Sequence, residues 1–186
     1  ISTLKKEKVK GGFFFTGKFY EMYPDIVRQL VADGHYVGSH SYGHLLYAPW
    51  EKRDSMLVSK QQFVDDMLKS YNTMASFGIS KEKAPYFIPP YEYYNSKVNG
   101  WAHEMGLQIF NFTPGTGTNA DYTTPDMGER YKSSAQLYKR LLDFERQHTL
   151  NGHFLMIHFG THPSRTDKFY TMLPKIIKTL QHRGYT

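Results

Sequence analysis

The chain contains no cysteine. That excludes a disulfide scaffold, a thiolate zinc site and a cysteine nucleophile together. It does not settle the compartment, because a cysteine-free chain suits either redox environment. Long apolar runs are missing too. Nothing approaches the ~20 residues that a membrane-spanning helix needs, and the mean hydropathy is −0.57, so no membrane insertion is expected. No signal-peptide pattern is visible, and a first residue other than Met leaves a processed leader or a trimmed chain open. Internal repeats, low-complexity tracts and linkers are likewise lacking. Tryptophan is scarce at two residues, yet aromatics reach 16% through 15 Tyr and 13 Phe. Aromatic side chains fill cores and also line binding loops, so this excess decides nothing alone.

The 186 residues suit one domain, read as residues 1–186 and incomplete at both ends. A chain of this size buries about 70% of its unfolded surface and needs no staple. The formal net charge is +6, from 23 basic and 17 acidic residues. The basic residues are scattered apart from Lys5, Lys6, Lys8 and Lys10. That cluster is read as a solvated helix face, and no nucleic-acid partner is expected.

Short apolar runs alternate with longer amphipathic stretches. The pattern predicts strands from residue 12 to 16, 35 to 39, 86 to 88, 107 to 112 and 153 to 158. Helices are predicted from 24 to 32, 59 to 77, 96 to 105, 133 to 147 and 169 to 183, several closed by a glycine. Residues 4 to 10 read as the end of a helix, and residues 184 to 186 as the start of a strand. A polar loop from 113 to about 131 is long enough to be functional. Strand–helix alternation implies an α/β fold of parallel strands joined by right-handed crossovers. An open doubly wound sheet and a (β/α) barrel both satisfy it.

In such folds chemistry gathers beyond the carboxyl ends of strands. His40 and His44 follow the second predicted strand, Glu92 the third, Asp121 the fourth, and His158 closes the fifth. Two imidazoles four residues apart can share one ion. They can equally be surface or capping histidines. The zincin pattern needs Glu after the first His, and Ser41 stands there. His158 reads as either a satisfied core histidine or an acid–base at the mouth of the fold. Tyr42, Tyr47, Trp50, Tyr93 and Tyr94 are candidate walls for a bound ligand, although packing is the commoner role for each taken singly.

Four segments in order resemble the polysaccharide deacetylase family, carbohydrate esterase family four. They are Lys10-Gly11-Gly12-Phe13-Phe14-Phe15-Thr16-Gly17, the H-S-x-x-H run His40 to His44, Phe87-Ile88-Pro89-Pro90-Tyr91, and Leu155-Met156-Ile157-His158. The resemblance implies a deformed (β/α) barrel with parallel strands, truncated at its N-terminal strand. It implies a metal-dependent hydrolase acting on an acetylated polysaccharide or oligosaccharide, either an N-acetyl sugar deacetylase or an O-acetyl xylan esterase. By it, His40 and His44 bind a divalent ion, usually zinc. Tyr91 offers its backbone N–H to the oxyanion, His158 is the general acid, and Leu155 lines the acetyl pocket. Glu92, Asp121 and Tyr122 are expected to contact substrate. A secreted or periplasmic location follows from the substrate class.

The departures from the family pattern are specific. The Asp-Asp motif that supplies the base and a third metal ligand has no counterpart; either it lies upstream of Ile1 or the chain cannot perform the chemistry. Ile88 stands where the family has Arg, and Glu92 where it has Gly. Asp121-Tyr122 is only a loose counterpart of the family's Asp-Trp segment. These departures keep an alternative in view, a non-catalytic carbohydrate-binding relative.

Overall fold

The computed structural model describes residues 1–186. Its contacts form two compact units, one of Ile1 with Lys10–Asn111, the other of Ser2–Val9 with Phe112–Thr186. The short helix α1 (Ser2–Lys6) belongs to the second unit. It ends sooner than the predicted run to residue 10, because Lys8 turns through a φ of 57°.

In the first unit β1 (Gly12–Phe15) leads into α2 (Gly17–Met22) and α3 (Pro24–Ala32). Then follow β2 (Tyr36–Ser39), α4 (Lys60–Ala75), β3 (Tyr86–Phe87), α5 (Ser96–Glu104) and β4 (Gln108–Ile109). The sheet order is β1-β2-β3-β4 and every pair is parallel. Gly12 faces Tyr36, Ser39 faces Phe87, and Phe87 faces Ile109. A doubly wound sheet reverses its order at a switch point. The unbroken order seen here is that of a (β/α) barrel.

Local chemistry sets the helix starts. Pro24 occupies the first turn of α3, where a missing N–H costs nothing. Ser59 and Gln62 form a reciprocal capping box at α4. The sequence pattern misses α2, since Gly17 reads as a strand stop. Thr16 turns it into a helix start by accepting the Phe19 N–H at 3.3 Å. Tyr20, Val27, Phe63, Met67, Met74, Phe87 and Val98 are fully buried between helices and sheet. Each large apolar side chain so buried contributes roughly 1.5–3 kcal/mol.

The second unit packs α6 (Ser134–His148) and α7 (Leu173–His182) around Leu137, Leu141, Leu150, Phe169 and Ile176. Ser133 and Gln136 repeat the capping box. The polar loop before α6 folds into two 3-10 turns, Thr118–Tyr122 and Pro125–Arg130. The predicted fifth strand does not form. One backbone bond, from the Thr113 N–H to the Phe154 carbonyl at 3.0 Å, joins it to a neighbour, and a ladder needs a series of them. Its apolar residues Leu155 and Ile157 instead pack against the α6–α7 core. Residues 184 to 186 form no strand either; Tyr185 folds back, its N–H on the Leu180 carbonyl and its hydroxyl accepting the Leu150 N–H at 2.8 Å.

His35 precedes β2 and is buried against Phe13, their rings 5.2 Å apart. Its Nδ1 accepts the Gly11 N–H at 3.2 Å, so the neutral ring carries its proton on Nε2, which has no partner. Burial first, then the Lys10 charge, holds its pKa below the ordinary value, with Asp33 opposing. The fold therefore prefers the neutral ring, and the unfolded chain takes up the proton first as pH falls through about 6.5. Thermal melts should show stability level above that pH and declining below it. In His35→Gln the decline should be smaller; an unchanged decline would remove His35 as its source.

Candidate active site

The loop leaving β2 carries the two nearby histidines. The His40 N–H donates to the Phe15 carbonyl at 2.8 Å, so its backbone extends the β1–β2 pairing by one step. The chain then turns sharply: Ser41 has φ 63° and His44 φ 58°. Side chains hold that turn. Ser39 Oγ accepts the Ser41 N–H at 3.1 Å, and Ser41 Oγ accepts the His44 N–H at 3.0 Å. Asp66 on α4 accepts the Tyr42 and Gly43 N–H groups, each at 2.9 Å. A Cβ on Gly43 would stand 2.9 Å from Asp66 Oδ1, so only glycine admits this carboxylate unshifted.

The imidazoles converge. His40 Nδ1 lies 2.8 Å from the Ile88 carbonyl, which can only accept, so Nδ1 carries the proton and Nε2 presents a lone pair. His44 Nε2 lies 3.1 Å from His40 Nε2. A tetrahedral ion with nitrogen ligands at ~2.0–2.1 Å places them about 3.3 Å apart. The pair therefore fits as two ligands of a zinc-class ion, with the Ile88 carbonyl orienting the first ring as outer partners do. No third His, Cys, Asp or Glu is grouped with them, whereas catalytic zinc sites use three protein ligands.

Beyond β3, Pro90–Glu92 form a short 3-10 turn in which Tyr91 has φ 60° and Glu92 φ 53°. Four of the chain's six non-glycine residues with positive φ thus fall in these two loops. Such conformations cost of order 1–3 kcal/mol each and persist where the surroundings over-determine them. Tyr91 is 47% exposed and packs edge-on against His44, centroids 4.5 Å apart. The Glu92 carbonyl accepts from Asn111 Nδ2 at 3.1 Å.

The second unit holds a separate pair. Asp121 is fully buried. Its Oδ1 lies 2.6 Å from His158 Nδ1, and its Oδ2 accepts the His158 N–H at 2.7 Å. The carboxylate fixes the proton on Nδ1, and the His158 side chain is 29% exposed. Tyr122, 48% exposed, stands edge-on to His158 at 6.3 Å. Leu155 is partly buried against the α6–α7 core.

Two supporting residues carry no sequence signal. Asp66 is one of two acidic residues on α4 and matches no motif. Arg165 is the other: its side chain is fully buried, with Nη1 donating to the Thr123 carbonyl at 2.7 Å and Nη2 to the Lys132 carbonyl at 3.0 Å. It clamps the loop that presents Asp121. Nearby, Asp167 Oδ2 accepts the Ser134 N–H at 2.6 Å. Burial alone would raise the Asp167 pKa, but the Ser134 hydrogen bonds and the Arg165 charge outweigh it and hold the carboxyl below its ordinary value.

The unbroken parallel order, with two histidines past the end of β2, defines an α/β protein of (β/α)-barrel type. The family profile described as polysaccharide deacetylase matches residues 1–110, and the chain belongs to that family. It is 28% identical over 146 residues to a peptidoglycan-N-acetylglucosamine deacetylase of Bacillus cereus, covering 74% of this chain and 48% of the relative. A protein of the same name and organism is 24% identical over 194 aligned residues, covering 100% and 61%. The chain thus spans about half to three-fifths of the length of these curated relatives. Among solved structures, a peptidoglycan N-acetylglucosamine deacetylase superposes with a TM-score of 0.72 at 21% identity, over 98% of this chain and 74% of that one. A family-four pseudoenzyme of Bacillus anthracis superposes at 0.67 and 21%, over 100% and 55%. At these identities the structural likeness is one of fold.

Asp66→Ala leaves the Tyr42 and Gly43 N–H groups without their charged acceptor. It should destabilise the chain by about 1.5–3 kcal/mol in urea denaturation, and Asp66→Asn by less. A loss under ~0.5 kcal/mol would mean that the turn holds itself.

Proposed function

We propose that the chain is part of a metal-dependent hydrolase that removes acetyl groups from a polysaccharide or oligosaccharide. The convergence of the His40 and His44 nitrogens, 3.1 Å apart in the H-S-x-x-H loop of this family member, carries the reading. Relatives named for N-acetylglucosamine and N-acetylmuramic acid favour an amide over an ester. The substrate class brings with it a secreted or periplasmic setting.

His40 and His44 would hold the ion, for which zinc is the first choice. When bound, such an ion polarises the acetyl carbonyl and acidifies a water. The Tyr91 N–H serves the developing oxyanion, a kind of donor that contributes about 3 kcal/mol. Asp121 keeps the His158 proton on Nδ1, and Nε2 hands a proton to the departing amine, worth ~10²–10⁴-fold. Glu92 and Tyr122 contact the sugar, and Leu155 offers an apolar side chain to the acetyl methyl.

One observation favours a second reading. His40 and His44 belong to no group of three His, Cys, Asp or Glu side chains that could hold an ion, and Ile88 stands where the family pattern has Arg. A non-catalytic carbohydrate-binding relative would show both features.

Elemental mass spectrometry of the purified chain separates the two. About one divalent ion per chain, absent from His40→Ala, supports the hydrolase; no ion in either supports the binder. For the hydrolase, His158→Ala should keep the ion and lose acetate release by ~10²-fold or more. Loss of the ion in that variant would remove His158 from the role of acid.

A further inference from the structure

The formal net charge of +6 is gathered in two places. Residues 2–9 and 168–186 carry seven basic side chains and one acidic, Glu7. All the other residues together hold 16 basic and 16 acidic. The whole excess thus sits on two segments far apart in sequence.

The fold joins them. Both segments belong to the second unit. Leu4 of α1 is buried, and Gln181 of α7 donates from Nε2 to the Glu7 carbonyl, just past α1, at 3.1 Å. Two of the seven cations are engaged within the chain. Arg183 pairs with Glu145 on α6, and Lys168 Nζ donates to Thr161 Oγ1 at 2.8 Å and to the His162 carbonyl at 3.0 Å. The other five, Lys5, Lys6, Lys8, Lys175 and Lys178, are exposed.

Helix stability accounts for only part of this. Lys5 and Lys6 lie in the last turn of α1, where a cation complements the helix dipole. Lys175 lies in the first turn of α7, where the dipole opposes it. The Tyr138 ring holds its Nζ there, 4.5 Å from the centroid. Lys178 follows three residues later on the same face, and like charges at that spacing repel. Both effects work against α7, and an anion bridging the lysines reverses both.

The surroundings narrow the partner. None of the exposed large apolar or aromatic side chains falls in either segment. A helix that lies on a bilayer couples its basic residues to an apolar insert, and single-stranded nucleic acid is held by stacking its bases on aromatic rings. This surface has only charge to offer. Lysine binds phosphate as a point charge and, unlike arginine, imposes no planar geometry on it.

We propose that α1 and α7 together form a docking surface for a flexible linear polyanion, a chain of phosphate groups recognised by its charge density. The surface uses none of the residues assigned to the deacetylase reading and is independent of it.

The test titrates linear polyphosphate into the 186-residue chain by calorimetry at two salt concentrations. Five lysine–phosphate contacts give a salt slope of about −3.5, so binding should weaken about 100-fold between ~50 and ~200 mM salt. The triple variant Lys6→Gln, Lys8→Gln, Lys178→Gln should bind about tenfold more weakly or worse. A control with the same net charge, Lys18→Gln, Lys52→Gln, Lys83→Gln, removes three exposed lysines of the first unit. It should stay within about threefold of wild type. Circular dichroism checks that both variants are folded. No binding at the lower salt, or an equal loss in the two variants, would overturn the surface. Tighter binding to vesicles of anionic lipid, or to an oligothymidylate of equal charge, would overturn the choice of partner.

Discussion

A short loop between a strand and a helix has more N–H donors than its own backbone can satisfy. The loop after β2 faces this constraint acutely, because its turn uses left-handed conformations that no regular structure repeats. Asp66 resolves it by taking two successive N–H groups on one carboxylate. Ser39 and Ser41 take two more. With the backbone thus fixed from outside, His40 and His44 have little freedom left, and their nitrogens meet. The histidine pair follows from this arrangement of hydrogen bonds more than from any attraction between the rings.

The same logic governs where strain sits. Ser41, His44, Tyr91 and Glu92 all hold positive φ without being glycine. Each is a place where the chain gives up local comfort to aim a side chain or an N–H. The helices and sheet around them are regular and well capped, and supply the rigidity that keeps the strained residues from relaxing. The first unit divides its labour accordingly, with α3, α4 and α5 conventional and the two loops between them unconventional.

What the sequence revealed was local. The helix from Pro24 to Ala32 was legible because its apolar spacing, first-turn proline and closing glycine lie within a dozen residues. His40 and His44 are only four apart. The unread features depend on distance along the chain. Asp66 reaches residues 23 and 24 positions away, Asp121 meets His158 across 37, and Arg165 grips Thr123 across 42. The apolar run Phe154 to Ile157 carried a strand signal, yet it packs by side chains on α6 and α7; periodicity cannot distinguish pairing from packing.

Arg165 gives the second unit a direction in time. A guanidinium does not shed its charge, and this one is fully buried, so it can settle only where carbonyls already wait for it. Those carbonyls belong to a loop synthesised some forty residues earlier, which has no comparable clamp until Arg165 leaves the ribosome. Contacts of such long sequence separation form late. The segment bearing Asp121 is thus held by a residue some forty positions further along, and the placing of the Asp121–His158 pair depends on chain that follows both of its members.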